Sequence, residues 1–569
     1  MSHSVRLAPL AVLLAACQSS PPPATPGPAP LDPVIGDTGQ PLSEVAQAAD
    51  VKAYDLQLEI MPQSQSIQGV GRTEFVLLKA SSQLELKLDA RFQIDRVQVD
   101  GVSASYQRQG GILTIDMAAT KAAGSKVTVD VAYQGQPHVA KNAPWAGGTV
   151  WSKTPEGQPW IATAVQGEGC DLFWPCKDHF ADKADRMRIR LTVPKGLSAV
   201  TNGVLQGVTD VGPDKQQFDW VLSVPASDYN IALNIGPYTR IQDSYRAVNG
   251  ETVPIEFWAL SANADKARTL LKEDVKGQVA WFEQKLGPYP WGKEKLGIVE
   301  TPHLGMEHQT VNAYGKGYKR DEYGFDWLLQ HELSHEWFGN LMTHQQLNHA
   351  WLHEGFGLYM QPAYARDKLG IAAYHYQMYK SYLGLINCEP VVRVGKVTSD
   401  EAFNPDIYGK GGWTLHTLRY LVGEQVFWQA TRELLYGTAE SQTLPYPIAP
   451  RYRTTEEFIS IVNRLSGKDY QWLFDVYLYQ APLPELKTVA KDGLITLSWQ
   501  TPGNKPFPMP VPVVFQGKAQ TLDFSKGPVV LKGQLSELSI DPEMWILRQL
   551  PLIGDCKEMQ SKVKNKHKD

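Results

Sequence analysis

The chain has 569 residues, of which 43% are hydrophobic and 20% charged, and its formal net charge is −5. This composition is typical of a globular protein and, at about 100–200 residues per domain, predicts roughly three or four folded units. The mildly negative charge excludes a general affinity for nucleic acid or for an anionic membrane surface.

The first residues have the pattern of an export signal. Arg6 precedes a short apolar run, Leu7 to Ala16, which is too short to span a bilayer and is typical of a signal-peptide core. The run ends in Leu14-Ala15-Ala16-Cys17, which resembles a bacterial lipobox. Residues 1–16 are therefore predicted to be removed and Cys17 to carry lipid. The alternative is an ordinary signal peptide that is cut nearby, with Cys17 lost.

A proline-rich stretch follows the lipobox. Its prolines, between residues 21 and 33, are typical of an extended spacer, so residues 17–45 are predicted to be the lipidated cysteine and its linker. Gln18 after the cysteine is similar to lipoproteins that are sent to the outer membrane. This resemblance implies a protein of the bacterial cell envelope, anchored to the outer membrane and facing the periplasm, with the membrane as a partner through the lipid.

Hydrophobic periodicity divides the remaining chain into three folded units and a tail. Apolar and polar residues alternate in many short runs from 46 to 245, which predicts an N-terminal β-rich domain. The second unit, 246–483, is dominated by helical patterns from about 322 to 480, and alternation returns at 484–552 in a small C-terminal β unit. The Lys-rich residues 553–569 are predicted to be a frayed tail. The expected fold class is α+β multidomain.

Within the second unit, three elements stand out. Residues 263–286 have the pattern of an amphipathic helix, Leu296–Glu300 that of a short strand, and Phe325–Phe338 that of a helix. The last of these carries the strongest chemical signal of the chain.

Four cysteines lie beyond Cys17: Cys170, Cys176, Cys388 and Cys556. None belongs to a CxxC pair, so a zinc cluster held by thiolates is not expected. Export permits disulfides, and Cys170 and Cys176, which are close in sequence, either bridge or remain buried thiols. The pairing of the other two stays open.

The chemical signal is the run His331-Glu332-Leu333-Ser334-His335. Residues four apart share one face of a helix, so both imidazoles can bind one metal ion, and Glu332 can take a proton from the attacking water. Glu354, on a return helix, would be the third ligand. Two histidines and one carboxylate leave an open position, which predicts a hydrolytic site with one zinc ion per chain. Spacing alone does not exclude cobalt or manganese.

At this point the sequence resembles the gluzincin zinc aminopeptidases, the family of aminopeptidase N and the leukotriene epoxide hydrolase. The resemblance rests on the run 331–340 with Trp351-Leu352-His353-Glu354-Gly355-Phe356, and it extends over about 50–550. It implies a β-rich N-terminal domain, a thermolysin-like α/β catalytic domain and a small C-terminal β-sandwich. The large C-terminal helical domain of many relatives has no counterpart here, which implies either a more open site or a homodimer that covers it.

The resemblance also implies residues that bind the substrate. Leu304-Gly305-Met306-Glu307-His308 is similar to the family's GAMEN segment, an edge strand along the substrate groove, in which Glu307 meets the free α-ammonium group. This chain has His308 where the family usually has Asn. In Gln166-Gly167-Glu168, Glu168 would be the second amine-binding carboxylate and Gln166 a side-chain contact. Tyr408, in Tyr408-Gly409-Lys410-Gly411, would donate to the oxyanion of the reaction.

These residues together predict an enzyme that removes N-terminal amino acids from peptides with a free N-terminus. Three alternatives use the same sequence features: an epoxide hydrolase, an endopeptidase, and a non-catalytic lipoprotein that binds peptides. Glu307 and Glu168 argue against an endopeptidase, because a carboxylate that pairs with an ammonium group rejects peptides without a free N-terminus.

Overall fold

The structure is a computed structural model that describes residues 37–554 and 556–559. The expected signal peptide, the lipidated Cys17 and the greater part of the tail lie outside these residues. Buried apolar side chains from the whole described chain form one continuous cluster, so the regions below pack on one another. No helix in the described part combines the length and apolar character needed to cross a bilayer.

The N-terminal region is rich in β-strands, as the sequence predicts. It begins with one helical turn, α1 (Glu44–Gln47). Its strands are β1 (Ala49–Met61), β2 (Ser66–Leu77), β3 (Ser81–Lys87), β4 (Gln93–Val99), β5 (Val102–Ser103), β6 (Tyr106–Gln109), β7 (Ile112–Lys121), β8 (Lys126–Gly135), β9 (Gly148–Lys153), β10 (Pro159–Ala164), β11 (Arg186–Pro194), β12 (Ser198–Val200), β13 (Val204–Asp210), β14 (Lys215–Leu222) and β15 (Asn234–Gly236).

These strands form three sheets. The largest has the order β13-β14-β11-β1-β2-β8-β4-β5, and the smaller ones have the orders β12-β15-β10-β9 and β3-β7-β6. Strands β1 and β11 run parallel at the centre of the large sheet, and their alternating apolar residues face the same core. The paired apolar positions are Tyr54 with Met187, Leu56 with Ile189, and Leu58 with Leu191.

The second region combines a five-stranded sheet with a set of helices, in agreement with the predicted α+β class. Its strands are β16 (Tyr238–Arg246), β17 (Thr252–Leu260), β18 (Leu296–Glu300), β19 (Gly305–Met306), β20 (Asn312–Tyr314), β21 (Met342–His344) and β22 (Arg451–Arg453). Its helices are α2 (Ala264–Leu270), α3 (Lys276–Lys285), α4 (Trp327–Ser334), α5 (Trp351–Leu369), α6 (Ile371–Tyr382), α7 (Ser399–Ala402), α8 (Asp406–Val422), α9 (Glu424–Tyr436), α10 (Thr455–Ser466) and α11 (Gln471–Tyr477).

The five-stranded sheet has the order β16-β17-β18-β20-β19, so the short strand β19 lies at its edge. Strand β16 pairs with β17 along its whole length and begins inside the range 46–245 that the sequence assigns to the first domain. The predicted helix at 263–286 is continuous but contains a π turn, Leu271–Val275, between α2 and α3.

The C-terminal region contains short strands. They are β23 (Glu485–Lys491), β24 (Leu494–Gln500), β25 (Val511–Phe515), β26 (Lys518–Leu522), β27 (Val529–Lys532) and β28 (Leu538–Ile540). They form two sheets, β23-β24-β27 and β26-β25-β28. The β-sandwich implied by the resemblance stays a prediction.

Disulfides fix two places in the chain. Cys170 bonds to Cys176 in the turn after β10, which selects the bridged alternative for this pair. Cys388 bonds to Cys556 and links the loop after α6 to the C-terminal residues. The second bond joins cysteines 168 residues apart, a pairing that sequence spacing could not predict.

Candidate metal and amine-binding site

The two histidines and Glu354 lie close together, as a shared metal ion requires. The Nε2 atoms of His331 and His335 are 3.2 Å apart, and they lie 3.7 Å and 3.5 Å from the nearer Glu354 oxygen. Ligand atoms about 2.1 Å from a tetrahedral zinc ion lie about 3.4 Å from one another. The three donors thus have the spacing and the chemistry of a tetrahedral zinc site in which they supply three of the four ligands.

Two helices bring these donors together. Helix α4 starts at the N-cap Asp326, whose side chain accepts the Leu329 N–H, and ends at Ser334 with His335 as its C-cap. The predicted helix to Phe338 is therefore too long. The chain turns instead because the Asn340 N–H returns to the His335 carbonyl and Gly339 adopts a φ of +137°.

Backbone groups orient both imidazoles. The His335 Nδ1 atom lies 2.8 Å from the Phe338 carbonyl, which can only accept, so Nδ1 carries the proton and Nε2 is left as the ligand. The His331 ring lies against the backbone of Gly357, on α5. A Cβ at Gly357 would lie 3.1 Å from the His335 ring and 3.2 Å from the His331 ring. Both rings thus pack against a glycine.

The charges of the three donors attract a cation. Burial by itself raises the pKa of Glu354, but His335 and His331 outweigh it and bring that pKa to about 2. Burial lowers the pKa of His335, but Glu354, with Glu307 and Glu332, raises it to about 10. The pKa of His331 is lowered, chiefly by burial. The carboxylates of this cluster therefore stabilise a positive charge, that of the protonated His335 imidazole. A divalent metal ion could supply the positive charge in place of that proton.

Glu332 is buried beside the three donors. A Cβ at Gly305 would lie only 2.4 Å from Glu332 Oε1, so the carboxylate rests on the backbone of edge strand β19. Burial raises the pKa of Glu332 well above its usual value, and Glu307 and Glu354 add to this effect while His335 opposes it. A carboxyl group with a raised pKa is suited to take up and return a proton.

Glu307 and Gln166 meet, although they are 141 residues apart in sequence. The Gln166 amide donates to Glu307 Oε1 at 2.6 Å, and the Tyr229 hydroxyl donates to the same oxygen at 3.1 Å. Glu307 is only 4% exposed, and burial raises its pKa. Met306, its neighbour on β19, is also buried at 4% exposure.

We call residues Gln166-Gly167-Glu168 the 166–168 loop, and Glu168 is its last residue. Its Oε1 atom accepts the Gly147 N–H at 2.6 Å. Its Oε2 atom is buried and has no hydrogen-bond partner among residues 37–554 and 556–559. Burial raises the pKa of Glu168. An unpaired buried carboxylate oxygen is costly, and an ammonium group would satisfy it.

Tyr408, on α8, lies beside the metal donors. Its ring centroid is 6.4 Å from that of His331, and its hydroxyl lies near Glu354. Burial, together with Glu354, Glu307 and Glu332, raises the pKa of Tyr408, so the hydroxyl keeps its proton and can donate it in a hydrogen bond. Helices α5 and α8 approach closely because glycines meet there: a Cβ at Gly355 would lie 3.0 Å from the Gly411 Cα atom.

Sequence reasoning gave no role to Glu336, although it stands inside the motif. Its carboxylate is fully buried. Five groups among the described residues donate hydrogen bonds to this carboxylate. They are the Tyr289 hydroxyl at 3.1 Å, the Trp291 indole at 2.9 Å, the Thr310 N–H at 3.0 Å, the Asn312 amide at 2.8 Å and the Asn340 amide at 3.0 Å. Asn340 also donates to the Glu307 carbonyl at 3.0 Å. Glu336 therefore connects helix α4 to the segment that carries Glu307.

Other residues of the site had weak or no local signals. Tyr229 and Gly147 belong to no motif, and only the fold brings them to Glu307 and Glu168. His308, which departs from the family pattern, is fully buried, and both its ring nitrogens lack partners within the described residues.

Comparison with known proteins gives several relatives. The chain is 23% identical to leucine aminopeptidase 2 of Vanderwaltozyma polyspora over 376 residues, which are 60% of this chain and 53% of that protein. It is 28% identical to aminopeptidase B of Mus musculus over 283 residues, 47% of this chain and 41% of that protein. The chain thus spans about half the length of these curated relatives.

The fold is similar to that of an M1 zinc metallopeptidase from Deinococcus radiodurans. That structure has a TM-score of 0.65 and 21% identity, and the match covers 79% of this chain and 97% of the other. A mutant of the same metallopeptidase bound to a Tyr-Ser-Ala substrate matches with a TM-score of 0.66 at 21% identity, over 79% of this chain and 98% of that one. At this identity the likeness shows the fold.

Two family models match this chain. The Peptidase M1 N-terminal domain matches residues 51–229, and the Peptidase family M1 domain matches residues 278–444, the part that contains the His331, His335 and Glu354 cluster. The chain belongs to the M1 family of zinc metallopeptidases.

Proposed function

We propose that this chain is a zinc-dependent aminopeptidase that releases N-terminal amino acids from peptides. The observation that carries the proposal is the spacing of 3.2–3.7 Å between the donors of His331, His335 and Glu354, with Glu332 buried beside them. The names of the relatives and the family membership support the same activity.

The proposed metal is zinc, held by His331, His335 and Glu354. Two imidazoles and one carboxylate suit this ion in a hydrolase, and the carboxylates that stabilise positive charge on His335 would also stabilise a divalent cation. When bound there, zinc would polarise the carbonyl of the scissile bond and make water more acidic. Metal analysis of the purified protein separates zinc from cobalt and manganese.

The remaining steps belong to the protein's own side chains. Glu332 takes a proton from the attacking water and then gives it to the leaving amine. The Tyr408 hydroxyl donates to the carbonyl oxygen as negative charge develops on it. Edge strand β19, with Gly305 and Met306, pairs with the peptide backbone and aligns it.

Glu307 and Glu168 bind the α-ammonium group of the substrate. Glu307 is buried and Glu168 is partly buried, and one buried Glu168 oxygen lacks a partner within the described part of the chain. A buried carboxylate that loses its ammonium partner is left uncompensated, so a peptide with a blocked N-terminus should bind poorly. This reasoning favours an aminopeptidase over an endopeptidase.

The test uses a panel of fluorogenic aminoacyl substrates, each paired with its N-acetylated form, with and without a chelator. We expect hydrolysis of the free-amine compounds only, abolished by the chelator and restored by zinc. Equal cleavage of the acetylated partners would indicate an endopeptidase. Bound zinc without cleavage of any substrate would favour a peptide-binding protein, and turnover of an epoxide alone would favour the hydrolase alternative.

We also propose that Cys17 is lipidated and anchors the enzyme to the outer membrane, facing the periplasm, after removal of residues 1–16. The lipobox-like run and the proline-rich spacer support this. Cys17→Ser should move the protein from the membrane to the soluble fraction, and an unchanged distribution would contradict the anchor.

A homodimer that covers the site is the second arrangement that the sequence leaves open, and sedimentation of the enzyme tests it.

A further inference from the structure

The first described residues of the chain lie against the 166–168 loop. The Thr38 N–H donates to the Gly167 carbonyl at 3.2 Å. The Ser399 hydroxyl, at the start of α7, lies 2.9 Å from the same carbonyl and also contacts the Asp37 carboxylate. That carboxylate accepts the Ser399 N–H at 2.9 Å. The hydroxyl has one proton for two acceptors, but the N–H holds Asp37 in either case.

The same segment also supports Glu307 indirectly, through Phe180 and Tyr229. A Cβ at Gly39, which has a φ of +65°, would lie 2.5 Å from the Phe180 ring, so the chain passes directly over that ring. Phe180 packs edge-on against Tyr229 with centroids 5.5 Å apart, and the Tyr229 hydroxyl donates to Glu307. Thr38 fixes the crossing point, because its hydroxyl donates to Asp178 at 2.8 Å.

We propose that Asp37 is a positioning residue for the amine-binding pocket, acting through Ser399 and the 166–168 loop. The inference rests on the proposed aminopeptidase function. The loop carries two functional side chains on either side of Gly167, and its central carbonyl is held by partners more than a hundred residues away in sequence. Without Asp37, Ser399 and the loop lose a common anchor, and the carboxylates are less well placed when the substrate arrives.

The first experiment compares Asp37→Ala with Asp37→Asn in the zinc-loaded enzyme. The alanine variant should raise KM for an aminoacyl anilide roughly tenfold, as expected for the loss of a hydrogen bond to a charged group, with kcat changed by less than about twofold. The asparagine variant keeps an acceptor for the Ser399 N–H and should restore most of the wild-type KM. If asparagine is as damaging as alanine, the charge and not the positioning is responsible, and the proposal is overturned.

A matched control separates positioning from general loosening of this part of the chain. Ser43 caps α1 a few residues downstream, and its hydroxyl accepts the Ala46 N–H at 3.0 Å. Ser43→Ala should lower the unfolding temperature slightly and leave KM unchanged. Ser399→Ala should also raise KM, as Asp37→Ala does. If Asp37→Ala does not fold, Ser399→Ala is measured in its place.

A double-mutant cycle with Glu168→Gln completes the test. If Asp37 acts through the loop, its removal should have little further effect on KM once Glu168 has lost its charge, so the two effects should not multiply. Independent, multiplicative effects would overturn the proposal. An inactive wild-type enzyme would overturn the proposed function as well, whereas an active enzyme with a normal KM in Asp37→Ala would overturn only this inference.

Discussion

The carboxylate of Glu336 offers the sharpest test of how the site is supported. In Glu336→Gln, one carboxylate oxygen becomes an NH₂ group of nearly the same size. Placed at Oε2, this group would face the Trp291 and Asn340 donors, which lie 2.9 Å and 3.0 Å from that oxygen. Placed at Oε1, it would face the donors from Tyr289, Thr310 and Asn312. Either orientation leaves buried donors without an acceptor.

The cost follows from the number of donors that lose their partner. The tyrosine hydroxyl can turn to accept, but the indole and the backbone N–H cannot, so one or two donors stay unsatisfied in each orientation. At about 1–3 kcal/mol for each, Glu336→Gln should destabilise the protein by about 2–4 kcal/mol. For a chain of 569 residues, the unfolding entropy is about 1.2 kcal/mol/K, so this corresponds to a fall of roughly 2–3 °C in the unfolding midpoint.

Calorimetry or circular dichroism of the metal-free protein measures this change. The control is Glu156→Gln, the same substitution in an exposed turn, for which we expect a shift close to zero. A Glu336→Gln variant that unfolds within about 1 °C of the wild type would refute the reasoning, because it would mean that the donors find other acceptors at no cost.

Four further predictions concern the site and its surroundings. Glu332→Ala should abolish turnover while zinc remains bound, and loss of the metal in this variant would disprove its role as the proton carrier. Tyr408→Phe should lower kcat by about 10²–10³-fold with little change in KM, as measured by steady-state kinetics; an equal rise in KM would contradict the assignment. Gly357→Ala should weaken zinc binding by about 10–100-fold in a chelator competition, because the new Cβ lies 3.1–3.2 Å from both imidazoles; unchanged affinity would show that the rings move freely. Burial lowers the pKa of Lys183 from 10.5 to about 7, so the unfolded chain binds the extra proton between these values and stability should rise with pH in that window. Lys183→Met should flatten this rise in pH-dependent unfolding, and an unchanged slope would mean that Lys183 stays charged in the folded protein.

Local spacing was sufficient to predict the metal donors, and the reason is geometric. His331 and His335 are one turn apart on a single helix, so their shared direction follows from the helix period alone. The strands were predictable for a similar reason, since the apolar residues from Tyr54 to Ile60 alternate with a period of two, and those from Tyr54 to Leu58 pair with β11 in the matching register. The end of α4 was mispredicted because the turn depends on a bond between the Asn340 N–H and the His335 carbonyl, which no periodicity reveals.

The supports of the amine pocket were beyond local reasoning because they join distant parts of the chain. Tyr229 reaches Glu307 across 78 residues, and Ser399 reaches Asp37 across 362. Each contact consists of one or two hydrogen bonds, without a repeating pattern that a sequence could display. Such contacts depend on where the sheets and helices of the fold place both partners. The carboxylates of Glu307 and Glu168, which are proposed to bind the substrate's amine, are costly to bury without hydrogen-bond donors. The whole fold must therefore place those donors. It follows that substitutions outside the three metal donors, at Asp37 or Tyr229, should affect recognition of the N-terminus more than the chemical step.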